Sequence, residues 1–214
     1  MLHLKTTKRT DRRLLNRMAV HYSQPKGFVG RNICYAVYFD TTYYGHIVAG
    51  SATRFLPGRN EYLDITIDQL NNVVNNTFFN ISPVGKYPLR NFTSKVVRLF
   101  MEEVRCDWYK KYGDIVYGFE TLIEKPRIGE LYKRAGWEIV GETKGYTCKR
   151  ISGKGTDSWS GKRVWNTKQL KPKLVLCYKV ENPSYMPTET KTNQLQGFFS
   201  VDEIQNLCKI NSKE

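Results

Sequence analysis

The stretch that decides the fold is Val116 to Trp137, VYGFETLIEKPRIGELYKRAGW. It continues an apolar run, Ile115 to Phe119, whose β-branched and aromatic residues predict a buried strand. Glu120 follows at once, a carboxylate at the strand's end. A loop with Pro126 and Gly129 leads into a short helix, Glu130 to Ala135. Gly136 closes that helix, because a glycine takes the left-handed conformation of a C-cap without a Cβ penalty. Trp137 then opens a further strand, WEIVGE. Tyr132 rides on the small helix between the two strands.

On the N-terminal side a long helix precedes this unit. Phe92, Val96, Val97, Phe100, Val104 and Trp108 recur at helical spacing and form one apolar face. Asn91 or Thr93 caps the start, and Gly113 stops it near Tyr112. The turn before it carries Lys86, Arg90 and Asn91 at the helix's positive end. Free amides and cations together suit a phosphate there. A plain capped core helix explains the helix but not the clustering of Lys86 and Arg90.

Earlier still, ICYAVYFD (33–40) and YYGHIVAGSATRF (43–55) predict a hairpin turning at Thr41-Thr42. His46 alternates into one face and is read as structural, and 56–60 as a turn. VVNNTFFNIS, within 70–82, holds a fourth strand. Its asparagine pairs, Asn71-Asn72 and Asn75-Asn76, either present amides to a ligand or base edge or serve turn chemistry. Residues 2–9 alternate weakly as a first strand. Thr10 and Asp11 cap a helix that buries Leu14, Leu15, Met18 and Ala19 and ends near His21-Tyr22-Ser23. The imidazole and phenol there offer proton chemistry near neutral pH; a His capping a helix C-terminus is the blander reading.

On the C-terminal side the chain turns basic. The 214 residues carry a net charge of +14. From Lys144 to Lys173 there are nine basic residues against Asp157 alone, a net +8. Tyr146, Trp159 and Trp165 interleave with these cations, and four glycines leave the backbone free to approach a phosphate. Aromatics that stack on bases beside cations that hold phosphates suit an unstacked nucleotide. Lys149, Arg150, Lys154, Trp159, Lys162, Arg163 and Trp165 are therefore the candidate nucleic-acid contacts. Such a field favours a polyanion, with double-stranded DNA ahead of an anionic membrane; a solvated basic surface is the alternative. No GxxxxGK[ST] occurs, which argues against an ATPase. KLVLCYKV, from Lys173, is the last strand, and FFSVDEIQNLCKI reads as a short terminal helix capped by Ser200.

The domain reading is one unit over 1–180 with a linker and helix over 181–214. No run of about 18 apolar residues is present, and the basic N-terminus lacks an apolar signal region. Five cysteines without CxxC spacing read as reduced thiols, which places the protein in the cytoplasm. The expected fold is α/β (α+β): a mixed sheet of six to seven strands with the long helix packed across it.

The order of strand, carboxylate, Tyr-bearing helix, GW and strand resembles the C-terminal half of the Gcn5-related N-acyltransferases. That resemblance implies acetyl-CoA as donor, with Lys86, Arg90 and Asn91 at its pyrophosphate and Tyr132 facing the thioester. The chain departs from that family in lacking the glycine-rich RxxGxG turn. Over roughly residues 10–150 it also resembles the Mom-type phage DNA-modification proteins, through HYS, GELYKRAGW and VGET. This second resemblance implies conversion of adenine in DNA to an N6-acetamido (methylcarbamoyl) form, protecting phage DNA from host restriction in the host cell's cytoplasm. It carries catalytic roles to His21, Tyr22, Tyr132 and Glu120, the last standing where the family has aspartate. A third likeness, across Asn72 to Gly145, is to a domain of the Druantia defence system. It leaves open a DNA-binding module without catalysis, as does an N-acetyltransferase for another substrate.

Adenine N6 is a poor nucleophile, because its lone pair is delocalised into the ring. Acylating it needs an activated donor, a base and close positioning. His21, Glu120 and a phenol would meet that need. His21 and Glu120 are also the pair that iron would take.

Overall fold

The computed structural model describes residues 1–23, 25–83, 86–150 and 165–184, with only the backbone of 146–150 and 165–169. Nine strands and four α-helices fall in these residues. They are β1 (Leu2–Thr7), α1 (Arg12–Val20), β2 (Asn32–Phe39), β3 (Thr42–Ser51), α2 (Arg59–Leu63), β4 (Val73–Ile81), α3 (Phe92–Tyr112), β5 (Gly118–Glu124), α4 (Glu130–Lys133), β6 (Glu138–Glu142), β7 (Tyr146–Arg150), β8 (Trp165–Gln169) and β9 (Lys173–Lys179). A 3-10 helix, Ile67–Asn72, leads into β4.

Seven strands form one mixed sheet in the order β1-β2-β3-β4-β5-β9-β6, within the expected range of six to seven. A separate ladder of β7 and β8, not foreseen from the sequence, interrupts the chain between β6 and β9. Every neighbouring pair in the large sheet is antiparallel except β4 and β5. Those two run parallel because α3 crosses between them.

Strand alternation divides the side chains between two faces. On one face α3 lays Phe92, Val96, Val97, Phe100, Val104 and Trp108 against Tyr35, Ile47, Val74 and Phe119. All six helix residues are buried, as their spacing predicts. Truncating a ring such as Phe100 to alanine is expected to cost about 3–5 kcal/mol. On the other face Leu14 and Met18 of α1 meet Cys34, Val48 and Phe78. Leu15 and Ala19 of α1 do not share that burial; Leu15 is 47% exposed, because nine residues of helix lay only one narrow stripe on the sheet.

Three expectations need correction. The segment 56–60 is not only a turn, since α2 begins at Arg59, a residue buried by its ion pair rather than by hydrophobicity. β5 is assigned from Gly118 and runs on to Glu124, so Glu120 lies inside the strand, not at its end. Its pairing with β9 extends through Glu124, which keeps the strand going. The small helix is a single turn, Glu130–Lys133, rather than reaching Ala135, although Gly136 does adopt positive φ (93°) after it. The terminal helix expected over 198–210 lies outside the described residues.

Candidate active site

β4 and β5 pair over three positions only, Val73–Asn75 with Gly118–Glu120. Beyond them β4 continues to Ile81 beside β3, and β5 continues to Glu124 beside β9. The sheet therefore splits, and a pocket of about 460 Å³ opens between the diverging halves. A bulge opens the same stretch: Val48 pairs with Phe78 and Ala49 with Asn76, which leaves Thr77 extra. Asn76, two residues after Val74 and opposite Ala49, faces the α3 side, and the bulge sends Phe78 to the α1 side.

Tyr132 reaches this opening from α4, whose start at Gly129 takes the left-handed φ of 71°. Its ring packs on Trp137 at 5.0 Å and Phe79 at 6.1 Å, and it is 3% exposed. Its hydroxyl donates to Asn76 Oδ1. The Asn76 amide in turn donates to the carbonyls of Val48 (3.1 Å) and Phe78 (3.2 Å), and Thr121 donates to its backbone carbonyl at 3.0 Å. Burial pushes the Tyr132 phenol above its ordinary value, with the Thr121 hydroxyl opposing. The group stays protonated through neutral pH.

His21 and Tyr22 arrive at the same opening from the C-terminal end of α1. His21 packs on Phe78 at 4.9 Å, and its Nδ1 lies 2.8 Å from Ser23 Oγ. Burial lowers its pKa, the Phe79 backbone opposing and the Arg127 charge adding to the drop. The neutral ring is favoured. The Arg127 guanidinium stands 3.9 Å over the Tyr22 ring, and burial raises the Tyr22 phenol. Arg127 comes from the loop after β5, so this contact spans the opening.

Glu120 is not with them. It alternates away from Phe119 and Ile123 and is fully buried. Oε1 accepts from the Thr53 amide at 2.6 Å, and Oε2 accepts from Arg59. Burial pushes this carboxyl up, while the Thr53 amide and the Arg59 guanidinium hold it down. Arg59 also donates to the Thr53 carbonyl at 2.9 Å and to that of Arg54 at 3.3 Å. The pair thus locks the loop after β3 to the sheet, which is a structural task. It also withdraws Glu120 from the His21–Glu120 metal pair. Among the described residues no three His, Cys, Asp or Glu side chains gather to hold a metal, and iron has no ligand set there.

His46 is structural as expected: it is fully buried, with Tyr43 Oη 2.6 Å from Nδ1, and burial lowers its pKa to about 4. Of the asparagine pairs, Asn72, Asn75 and Asn76 spend their side-chain amides inside the fold rather than on a base edge. Asn72 donates to the Ile115 carbonyl at 2.7 Å, and Asn75 donates to Thr53 Oγ1 at 3.1 Å.

At the start of α3, Asn91 is the N-cap residue in left-handed conformation, φ 57°, and no side chain caps the helix. The first turn holds no acid. Lys86, Arg90 and Asn91 are exposed there. Arg134 reaches Asn91 Oδ1 at 3.4 Å, and Arg98 donates to the Arg134 carbonyl at 2.7 Å. Uncapped amides amid arginines suit phosphate oxygens.

Sequence reasoning missed Asn76 as the partner of Tyr132, and also Thr121 and Arg127. Asn76 was visible only as one of four asparagines, and its partner is supplied by an element 56 residues later. Lys154, Trp159, Lys162 and Arg163, and the side chains of Lys149, Arg150 and Trp165, lie outside the described residues.

No family model matches the sequence, and no curated protein matches it. Solved structures do. An acetyltransferase from Bacillus subtilis in complex with CoA superposes with a TM-score of 0.51 at 15% identity, covering 84% of this chain and 99% of that one. The aminoglycoside acetyltransferase AAC(6')-Ib in complex with coenzyme A gives 0.50 at 12% identity, over 84% and 95%. Its complex with paromomycin and acetyl-CoA gives 0.51 at 12% identity, over 88% and 99%. The fold is that of the Gcn5-related acetyltransferases. Among the described residues no helix of this fold is long and apolar enough to cross a membrane.

Proposed function

We propose that this protein is an acyl-CoA-dependent N-acyltransferase whose acceptor is the N6 amine of adenine in DNA. The observation that carries the acyl-transfer reading is the Tyr132 hydroxyl, buried and protonated where β4 and β5 part. The uncapped start of α3 fits the donor: its amides, with Lys86, Arg90 and Asn91, would hold the phosphates of acetyl-CoA. When bound, acetyl-CoA would supply the activated acyl group. Tyr132 Oη holds a proton that it can give to a leaving group in the opening. In the structure that proton is donated to Asn76, whose backbone carbonyl Thr121 holds, so the hydroxyl turns from Asn76 to give it up. The His21 imidazole, kept neutral, would take the proton of an incoming amine. Tyr22 and Arg127 narrow the entrance and help exclude water.

The acceptor reading draws on the net charge of +14 and on the likeness to the Mom-type proteins. A cationic field raises the local concentration of a polyanion. The test is mass spectrometry of nucleosides from DNA co-expressed with the protein. A new adenosine derivative that disappears in Tyr132→Phe and His21→Ala is the expected result. Unmodified DNA in the presence of strong DNA binding would mean a binding module instead. Unmodified DNA with active thioester turnover would mean another amine acceptor.

A further inference from the structure

Resting on the acceptor reading above, we propose that a second groove, on the α2 side of the sheet, is the docking track for a polynucleotide strand. In it Arg54, Lys144 and Lys171 hold phosphates and Phe55 stacks on a base. The groove has a volume of about 930 Å³. One wall is the loop from β3 to α2; the other joins the end of β6 to β7 and β8 to β9.

Its lining includes five cations and no acid. Arg59 is spent inward on Glu120, which leaves Arg54, Lys144, Lys171 and Lys173. Lys171 is 70% exposed and meets Glu124 only at 3.8 Å. Phe55 is 77% exposed, with the Arg54 guanidinium 5.4 Å over its ring. An exposed ring among cations is the arrangement that holds single strands, the ring taking a base face and the cations the backbone.

Two further facts point the same way. Leu122 and Lys173 line both this groove and the opening that holds Tyr132, so the two spaces meet at the rim of β5. A strand lying in the groove can thus extend an unstacked base toward Tyr132. The basic stretch also leaves and rejoins the sheet at the same wall, where the Leu170 amide donates to the Gly145 carbonyl at 2.6 Å. The groove is built stiff. The Arg59–Glu120 pair anchors one wall from beneath. A Cβ on Gly58 would lie 1.9 Å from the Val140 carbonyl oxygen, so loop and β6 touch backbone to backbone.

The test is fluorescence anisotropy of the full chain with a labelled single-stranded DNA across a salt series, beside an RNA of the same sequence and polyglutamate. Circular dichroism checks each variant's fold. The combined Arg54→Ala, Lys144→Ala, Lys171→Ala variant is expected to bind DNA at least about tenfold more weakly. Its salt slope should fall by about two, since each lost strand phosphate contributes roughly 0.7. Phe55→Ala alone should weaken the single strand about fivefold or more, as stacking on one base contributes ~1–3 kcal/mol. Acetyl-CoA binding, followed by calorimetry, should be unchanged in both. RNA held through the same residues supports the groove while moving the acceptor from DNA to RNA. Unchanged DNA affinity and slope in the variants, or polyglutamate binding as tight as DNA, overturns the proposal. If wild type binds acetyl-CoA but no strand at low salt, groove and nucleic-acid acceptor fall together and acyl transfer stands. If the groove residues hold DNA but wild type gives no heat with acetyl-CoA, the groove stands and the acyltransferase reading falls.

Discussion

The hydroxyl of Tyr132, on a one-turn helix, donates to the side-chain oxygen of Asn76, 56 residues earlier on the strand that borders the opening. This one contact ties α4 to the bulged part of β4, the side of the sheet that parts from β5. It also holds a protonated phenol at a set angle in a buried place.

Removing that hydroxyl separates its chemical task from its packing. Tyr132→Phe keeps the ring against Trp137 and Phe79. The lost hydrogen bond and the orphaned Asn76 oxygen are expected to cost about 1–3 kcal/mol of stability. Acyl transfer should fall much further, by about 10²–10⁴ in kcat, the usual contribution of a positioned acid. Steady-state thioester turnover on the folded variant measures it; a change of less than about threefold would assign Tyr132 to packing alone.

Glu120 gives the opposite pattern. Its partner Arg59 is fully buried, so Glu120→Gln leaves a guanidinium without its counter-charge. Breaking such a pair costs about 3–5 kcal/mol, which for a chain of this size is a fall in Tm of roughly 6–20 °C. Turnover per folded molecule should hold at temperatures well below Tm. Thermal melts and turnover measured on the same preparation decide it, and a stable but inactive Glu120→Gln would restore the carboxylate to catalysis.

The His21 ring sets an acid limit. Burial favours its neutral form, so its pKa lies below the usual 6.5. A base must be neutral to work, so kcat/KM should be level through neutral pH and fall only as pH drops below about 6.5. His21→Ala should lower the plateau and remove that limb. A limb that survives the substitution belongs to another group.

How much of this could be read from the chain alone varies with the physics involved. α3 was legible end to end, because six of its nine buried residues keep one apolar helical stripe and Gly113 takes the left-handed cap. The hairpin of β2 and β3 was legible from dense β-branched and aromatic residues. α2 was not, because its buried anchor, Arg59, is a cation whose partner lies 61 residues away. For the same reason Glu120 looked like a reactive carboxylate; only the fold shows that its oxygens are already in use. Tyr132, His21 and Tyr22, singled out from the sequence, line one opening. Asn76 could not be chosen, since its partner Tyr132 lies 56 residues further along the chain.

The central claim is that the divide between β4 and β5 is a coenzyme site with its phosphate end at α3. Isothermal calorimetry of acetyl-CoA titrated into the wild type and Arg90→Ala tests it directly. Arg90 is exposed beside uncapped amides, and a charge-assisted contact to phosphate contributes about 1.5–3 kcal/mol. Saturable heat at one site is expected in the wild type, with binding weaker by about tenfold or more in Arg90→Ala and nearly unchanged DNA affinity. No heat with the wild type would contradict it.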